Sequence, residues 1–317
     1  MSNAIKTPDI SILVPVFNEV QALPQFLQIL TGILDQLDLI SEIIFINDGS
    51  TDQTLDFLRN ASHIDPRIII VDLSRNFGKE SALTAGLDIC SGHAAIPIDA
   101  DLQDPPELIP ELIDKWKSGY DVVNAVRRSR QKDSNFKRVS AHLFYRILGR
   151  LSDINVPVDT GDFRLLSRPV IDVLKQMPER RRFMKGMFSW VGFKRTSVFF
   201  DRKARVAGHT NWNFLKLTNL AIEGITSFSS APLRLATYLG ILVASLSIIY
   251  AVIIVFKTII WGEEVAGYAS LMVALLFLGS MQLICLGIIG EYIGRIYEES
   301  KGRPIYIVKE IYKTPHG

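Results

Sequence analysis

The residues with the clearest chemical potential form the run DADLQD at positions 99–104, which directly follows an apolar stretch over 94–98. A strand that ends in two carboxylates one residue apart places both at the carboxyl edge of a parallel sheet, where open α/β folds bind ligands. Mg²⁺ is commonly held by one or two carboxylates together with the phosphates of a substrate. Asp99 and Asp101 are therefore candidate metal ligands, and the ligand they indicate is a nucleotide diphosphate. The same acids would serve equally well as turn or cap residues, so the interpretation depends on what accompanies them.

The elements that must position these acids follow a regular alternation of short β-branched runs and amphipathic segments. The pattern predicts strands over 10–17, 42–47, 67–73, 94–98 and 121–126, with helices such as 20–37 and 79–90 between them. Strand, helix and strand repeated four times predicts right-handed crossovers in a parallel sheet. We therefore predict an α/β fold of Rossmann type with a mostly parallel sheet.

Polar residues gather where each of the first four strands ends. The motifs are NE at 18–19, NDGSTD at 47–52, SRNFGK at 74–79 and the aspartate run. Any one of them would serve as a turn or a helix cap, but four at one sheet edge favour a ligand site. The chain has neither a dinucleotide fingerprint after the first strand nor a P-loop around Lys79. A metal on the two aspartates is then the natural counter-charge for a diphosphate, which favours a nucleotide sugar.

Composition narrows the class of protein. The chain has 317 residues, 48% of them hydrophobic, and a formal net charge of +2, which gives no reason to expect a nucleic-acid partner. Its two cysteines, Cys90 and Cys285, lie far apart, and its five histidines are scattered, so neither a disulfide framework nor a zinc motif is indicated. The first residues, MSNAIKTPD, lack the apolar core of a secretory signal.

Two long apolar stretches near the C-terminus predict membrane spans. Residues 235–256 and 265–290 carry no charge, and each is long enough to cross a hydrocarbon core of about 30 Å. Basic residues flank the pair, whereas the link between the stretches contains Lys257 but also Glu263 and Glu264. By the positive-inside rule we predict a multi-pass protein of the inner (cytoplasmic) membrane, with both termini and the α/β domain that precedes the spans cytoplasmic. A basic amphipathic segment over 135–151 is either a surface helix or a helix lying on the membrane.

Several of these motifs together resemble a known family. VPVFNE, INDGSTDQT, SRNFGKESALTAGLD, DADLQDPPE, DTGDFRLLSR and RVAGHTNW, followed by two spans, resemble the polyisoprenyl-phosphate glycosyltransferases, relatives of dolichol-phosphate mannose synthase among the inverting family 2 glycosyltransferases. Within that family the chain is most similar to bacterial undecaprenyl-phosphate glucosyltransferases that modify surface polysaccharide. The Gln-x-x-Arg-Trp motif of processive synthases is absent. The resemblance implies a GT-A-like catalytic domain that needs Mg²⁺ or Mn²⁺.

The resemblance also assigns roles to residues. It implies a uridine site at Pro15, Phe17, Glu19 and Asp48, a metal and diphosphate site at Asp99, Asp101 and Gln103, a phosphate-binding Arg205, and an acceptor loop over 159–164. The candidate set is Asp101, Asp159, Asp162 and Arg205 for catalysis; Pro15, Phe17, Glu19, Asp48, Lys79, Asp99, Gln103, Arg127 and Arg164 for substrate binding; and Asp99 and Asp101 for the metal.

The chemistry of a lipid-phosphate acceptor sets what these residues must supply. A phosphate monoester has a second pKa of about 6 and is largely dianionic at neutral pH, so it needs neutralisation more than it needs a general base. Arg205, helped by Arg127 or Arg164, would neutralise it through forked hydrogen bonds. Asp159, ahead of Asp162, is the candidate to orient the acceptor or act as a base.

The predicted organisation is a GT-A-like catalytic domain over 1–212, a juxtamembrane segment over 213–232, a transmembrane hairpin over 233–292 and a cytoplasmic tail over 293–317. The predicted function is inverting transfer of glucose from UDP-glucose to undecaprenyl phosphate. A GDP-mannose or UDP-aminosugar donor is the alternative within enzymes, and a non-catalytic membrane module that binds a nucleotide sugar is the alternative outside them. We also expect the chain to form a homo-oligomer.

Overall fold

The computed structural model describes residues 7–128, 160–180, 182–201, 231–261 and 267–313. These residues divide into two compact units, the first formed by the ranges up to 201 together with 304–313, the second by 231–261 and 267–303. The strands of the first unit are β1 (Ile10–Val16), β2 (Ser41–Asn47), β3 (Ile68–Leu73), β4 (Ala94–Pro97), β5 (Val122–Arg127), β6 (Thr160–Ser167), β7 (Arg195–Phe200) and β8 (Val308–Lys313). Its helices are α1 (Leu23–Leu34), α2 (Thr54–Ile64), α3 (Lys79–Ile89), α4 (Ile109–Lys117), α5 (Arg168–Gln176) and α6 (Met184–Trp190).

The eight strands form one sheet in the order β7-β5-β6-β4-β1-β2-β3-β8. The predicted α/β class and all five predicted strands are confirmed. The sheet is mixed, because β8 runs antiparallel to β3 and β6 runs antiparallel to both β4 and β5. β4 and β5 run in the same direction, as the repeated strand–helix–strand pattern predicts, but they are not neighbours because β6 lies between them. Local hydrophobic patterning does not reveal a strand that arrives from later in the chain.

The core lies where the apolar strands meet the helices. β1 is buried at Ile12 and β2 at Phe45, each with no exposed surface, as expected for parallel strands covered on both faces. On one face α1 packs Phe26 and Leu30 into the same cluster. Burying a side chain of this size contributes about 1.5–3 kcal/mol. The ends of β1 to β4 are thereby held on a rigid platform.

Strand β8 is an element that the sequence analysis did not predict. It follows the two long C-terminal helices in the chain and pairs with β3, from Ile69 opposite Lys313 to Asp72 opposite Glu310. Arg59 of α2 hydrogen-bonds the Tyr312 hydroxyl and lies 4.5 Å from the centre of its ring. The chain therefore leaves the first unit before residue 231 and returns to it after residue 303.

The described residues of the second unit form two long helices, α7 (Ala231–Trp261) and α8 (Tyr268–Ser300). They overlap the two predicted apolar stretches. Over the described residues, one segment of 24 residues, Phe277–Ser300, is long and apolar enough to cross a membrane. The two predicted crossings are thus not both confirmed. The amphipathic segment over 135–151 and the juxtamembrane residues 213–230 lie outside the described residues.

Candidate functional site

The carboxyl ends of β1 to β5 and the amino end of β6 lie at one edge of the sheet. The carboxyl ends of β1 to β4 share this edge because these strands are parallel. Since β6 is antiparallel to β4, the amino end of β6 arrives there too. We call the loops after β1 to β4 (residues 17–19, 48–52, 74–79 and 98–104) the donor edge, and the surface of β5 and β6 with the start of α6 (residues 124–127, 160–164 and 184–188) the β6 face.

Asp48 connects two loops of the donor edge. This buried carboxylate accepts hydrogen bonds from the backbone N–H groups of Phe77 at 2.7 Å and Gly78 at 2.9 Å. Burial raises the pKa of Asp48, an effect that the two backbone bonds oppose. Its neighbour Gly49 has a φ of +66°, and a Cβ there would lie 2.5 Å from the carbonyl carbon of Arg75. Only glycine fits where the loops after β2 and β3 come this close.

The loop after β1 is tied to the loop after β2 through Asn18, which belongs to the NE motif but was not among the predicted site residues. Asn18 has a left-handed φ of 54°, and its Oδ1 accepts the backbone N–H of Thr51 at 2.8 Å. Its own N–H donates to the Ser50 hydroxyl at 3.0 Å, and the N–H of Glu19 donates to the Thr54 hydroxyl at 3.0 Å. The NE and NDGSTD motifs therefore hold each other in place, and asparagine's known tolerance of left-handed φ is the signal that was available.

The predicted uridine-site residues lie along this edge. Pro15 is a partly exposed residue of β1, and the side chain of Phe17 immediately after β1 is 44% exposed. An exposed aromatic ring beside anchored loops offers a stacking surface for a planar base. Arg75 covers the ring of Phe77, with its guanidinium 4.0 Å from the ring centre.

The two candidate metal ligands differ in environment. Asp99 is partly exposed, and both of its carboxylate oxygens lie 2.7 Å from the ammonium of Lys79. Asp101 is buried and accepts the backbone N–H of Gln103 at 3.1 Å. Leu102, which lies between Asp101 and Gln103, has a φ of 58°. This value is unusual for a bulky residue and marks a tightly constrained turn.

The carboxylate oxygens of Asp99 and Asp101 fit a hard divalent cation that also binds oxygens of a substrate. Asp99 and Asp101 offer carboxylate oxygens, the ligands that Mg²⁺ and Mn²⁺ prefer. Among the residues described here, no group of three or more His, Cys, Asp or Glu side chains is placed to hold a metal. A cation at this pair would therefore rely on other oxygens, such as those of a diphosphate, to complete its coordination.

Lys79 joins the donor edge to the β6 face. Its ammonium lies 2.7 Å from Asp162 Oδ2 as well as from Asp99. Burial alone would lower the pKa of Lys79, but the carboxylates of Asp99 and Asp162 raise it. Burial would likewise raise the pKa of Asp162, but Lys79 and Lys185 hold it well below its usual range. Asp162 is therefore ionised and ion-paired at neutral pH.

The β6 face carries further buried charge. Arg164 is 3% exposed, donates to the Gly161 carbonyl at 2.6 Å and lies 4.2 Å from the ring centre of Phe188. Burial lowers the pKa of Arg164 to about 10, so it stays charged. Burial and the nearby Asp162 raise the pKa of Glu80 to about 7, and Glu80 accepts the backbone N–H of Met184 at 3.1 Å.

Several polar atoms of the β6 face are buried without a hydrogen-bond partner in the part of the chain that is described. They are Asn124 Oδ1, Arg127 Nε, Asp162 Oδ1 and Arg164 Nε. Arg127 also forms a long ion pair of 3.7 Å with Asp104 of the donor edge. Because buried polar atoms are nearly always paired in folded proteins, this cluster indicates a surface made for additional polar contacts.

The structure thus brings Asp48, Lys79, Asp99, Asp101, Gln103, Arg127, Asp162 and Arg164 to the same edge as Phe17 and Glu19. Two predicted residues, Asp159 and Arg205, lie outside the described residues, so their roles stay predictions. Acids, amides and cations converging at one edge can bind an anionic ligand through a cation on one side and through basic side chains on the other.

The chain is similar in sequence to known glycosyltransferases. The family model "Glycosyl transferase family 2" matches residues 11–174, and "GtrB C-terminal hairpin" matches residues 231–296. An uncharacterized glycosyltransferase of Synechocystis sp. is 53% identical over 306 residues, 96% of each chain. The bactoprenol glucosyl transferase of Shigella phage SfV is 50% identical over 300 residues, 95% of this chain and 98% of its own.

Among solved structures, the mannosyltransferase PcManGT from Pyrobaculum calidifontis in complex with GDP-Man and Mn²⁺ is similar, with a TM-score of 0.43 and 14% identity over 89% of this chain and 88% of that one. The mixed α/β sheet is the GT-A-like domain that the motifs indicated. The chain is therefore an enzyme of glycosyltransferase family 2 and belongs to its polyisoprenyl-phosphate glycosyltransferases.

Proposed function

We propose that this enzyme transfers glucose from UDP-glucose to a polyisoprenyl phosphate such as undecaprenyl phosphate, with inversion at the anomeric carbon. The observation that carries the proposal is the match to a bactoprenol glucosyl transferase over 95% of this chain, at 50% identity, through the catalytic unit and both long helices. The acids and cations gathered at the donor edge suit a nucleotide diphosphate. Homo-oligomer formation stays a prediction from the sequence.

The donor edge binds the nucleotide sugar. Phe17 stacks on the uracil beside Pro15 and Glu19, while Asp48 fixes the neighbouring loop after β3 through the N–H groups of Phe77 and Gly78. A divalent cation, Mg²⁺ or Mn²⁺, held by Asp99 and Asp101 would stabilise the negative charge that develops on the departing diphosphate. Gln103 follows in the same constrained turn and supplies an amide to the diphosphate.

The β6 face receives the acceptor phosphate. Its second ionisation, with a pKa of about 6, leaves a nucleophilic dianion at neutral pH, so charge neutralisation is the main task. Arg127 and Arg164 each have a buried Nε without a hydrogen-bond partner in the described residues. Arg205 adds a third cation in this proposal. Because Lys79 keeps the pKa of Asp162 low, Asp162 positions cations rather than accepting a proton. Asp159 orients the acceptor.

The membrane arrangement follows from the path of the chain. Residues 304–313 belong to the same unit as residues 7–128, so the chain passes through the helical unit and then rejoins the first unit. If α7 and α8 both cross the bilayer, the catalytic unit and β8 must lie on one side, and the flanking basic residues place that side in the cytoplasm. Exposed Ile248, Ile259 and Leu283 give both helices lipid-compatible surfaces.

The proposed domains follow from this path. They are a catalytic domain over 1–212 completed by β8, a juxtamembrane segment over 213–232, a hairpin over 233–292 and a C-terminal tail over 293–317. Residues 304–313 of that tail belong to the same unit as the catalytic domain. The multi-pass location in the inner membrane rests on this arrangement.

The test is transfer of label from UDP-glucose, GDP-mannose and UDP-aminosugars into undecaprenyl phosphate in detergent, with and without EDTA. We expect UDP-glucose to label the lipid only when Mg²⁺ or Mn²⁺ is present. Asp101→Ala should reduce the rate by about 10²- to 10³-fold, since it removes a group that stabilises transition-state charge. Labelling from another donor would correct the sugar. Folded protein that binds UDP but transfers no sugar would support a non-catalytic module instead.

A further inference from the structure

Lys79 has a position that substrate binding alone does not explain. Its ammonium lies 2.7 Å from both oxygens of Asp99 and 2.7 Å from Asp162 Oδ2. It therefore occupies the same carboxylate that the proposed function assigns to a divalent cation. A second cation at Asp99 must share these oxygens with the ammonium or displace it, and like charges at such distances repel.

The backbone before Lys79 keeps its side chain at the site. Lys79 is the first residue of α3 and follows Gly78, which has a φ of +95°. Asp48 holds the N–H groups of Phe77 and Gly78 at 2.7 and 2.9 Å. A lysine anchored this way can move its ammonium but not its Cα.

Asp162 is a second ion-pair partner for the ammonium of Lys79. Its Oδ1 is buried and has no hydrogen-bond partner among the described residues, so the carboxylate has unused capacity beside Lys79. The other charged groups around Asp162 are Lys185, Arg164 and Glu80. A shift of the ammonium from Asp99 towards Asp162 keeps an ion pair and releases the oxygens of Asp99.

We propose that Lys79 is a positioning residue that competes with the divalent cation for Asp99 and remains on Asp162 once the cation is bound. The inference rests on the proposed function, because it takes Asp99 and Asp101 as the metal ligands. The cation alone then binds weakly, and a nucleotide diphosphate, which brings negative charge to both cations, strengthens its binding. By linkage the cation strengthens nucleotide binding by the same factor.

The experiment is a titration of the full-length protein in detergent with Mn²⁺, followed by electron paramagnetic resonance, without and with UDP. We expect Lys79→Met to bind Mn²⁺ about 10-fold more tightly than wild type without UDP, and UDP to strengthen its binding less than in wild type. Lys79→Arg keeps the positive charge and should stay near wild type. Lys175→Met, which removes a half-buried lysine whose ammonium donates to the Asp88 carbonyl, is the matched control and should change nothing.

The following results would contradict the inference. Lys79→Met that is folded but binds Mn²⁺ no more tightly than wild type overturns the inference. If Lys79→Met does not fold, Asp162→Asn decides, because it leaves the ammonium to Asp99 alone and should weaken Mn²⁺ binding; unchanged binding would overturn the inference. Wild-type protein that binds no Mn²⁺, even with UDP, contradicts the proposed metal site itself.

Discussion

The donor edge and the β6 face are built on the same sheet but satisfy their polar groups differently. At the donor edge, Asp48, Asn18 and Ser50 each hold a backbone N–H of a neighbouring loop. On the β6 face, Arg164 is buried and Asp162 is half-buried, and each keeps a buried polar atom without a hydrogen-bond partner in the described residues. The loops of the donor edge are tied to one another by hydrogen bonds, whereas the β6 face retains several buried polar atoms that are available for further bonds.

This difference indicates a division of labour. Loops fixed by backbone hydrogen bonds are preorganised, so the donor edge can bind a nucleotide without first changing shape. Buried charges that lack full pairing are costly unless a ligand completes them. The β6 face is therefore the region expected to depend most on the acceptor phosphate. The following substitutions test that contrast, beginning with the largest expected effect.

Arg164→Met should have the largest effect on stability. The substitution removes a buried cation that bonds the Gly161 carbonyl and faces Asp162 and Glu80. Breaking such a buried charge cluster is expected to lower the free energy of unfolding by about 3 kcal/mol. Denaturant unfolding followed by circular dichroism measures this, with Arg195→Met on the exposed edge strand β7 as the control. Equal losses in both variants would mean that the β6 face holds no special buried charge.

Gly49→Ala tests the close approach at the donor edge. Gly49 and Gly119 both have positive φ, 66° and 89°, but only at Gly49 does an added Cβ meet backbone, 2.5 Å from the Arg75 carbonyl carbon. Gly119→Ala should cost about 1 kcal/mol from conformation alone. Gly49→Ala should cost about 2 kcal/mol more and raise KM for the donor, because the bonds from Asp48 must shift. Similar losses and unchanged KM in both variants would contradict a rigid donor edge.

Glu80→Gln tests the buried charge through pH. Burial raises the pKa of Glu80 from 4.5 to about 7, so the folded protein binds more protons than the unfolded chain between these values. Stability should therefore fall as pH rises from 4.5 to about 7, by up to about 1.4 kcal/mol per pH unit. Glu80→Gln should flatten this slope in melting curves, whereas Glu111→Gln on the exposed side of α4 should preserve it. An unaltered slope in Glu80→Gln would show that Glu80 ionises freely.

Lys309→Met should have the smallest effect. Lys309 of β8 lies 3.4 Å from buried Asp72, but its side chain is 61% exposed, so the ion pair is screened by water. The free energy of unfolding should fall by less than about 1 kcal/mol, and the transfer rate should not change. Asp72 also accepts from the Asn47 amide at 2.7 Å, next to the Asp48 loop. A clear fall in transfer by Lys309→Met would therefore extend the donor edge to β8.

The donor edge was the more predictable region because its information is local. Strands β1 to β4 appear in the sequence as apolar runs, and each is followed at once by the motif that it positions. Parallel pairing then brings the motifs together without further information. The motifs did not reveal the hydrogen bonds that join one loop to another. Asn18, for example, accepts a hydrogen bond from Thr51, which lies 33 positions away in the sequence.

The β6 face and β8 depend on pairings that the sequence does not encode locally. Asp162 reaches Lys79 only because β6 inserts antiparallel between β4 and β5. The eighth strand pairs with β3 across more than 230 residues, and its short alternating pattern resembles an ordinary polar tail. Sequence reasoning therefore selected Asp162 and Arg164 from a motif, while their ion pairs and buried surroundings emerged from the fold.

The most direct test of a preformed, metal-dependent donor edge is a calorimetric titration of the detergent-solubilised enzyme with UDP-glucose, without any lipid acceptor. The account predicts saturable binding in Mn²⁺ and loss of that binding in EDTA. Binding of equal strength in EDTA, or binding that begins only after undecaprenyl phosphate is added, would contradict it.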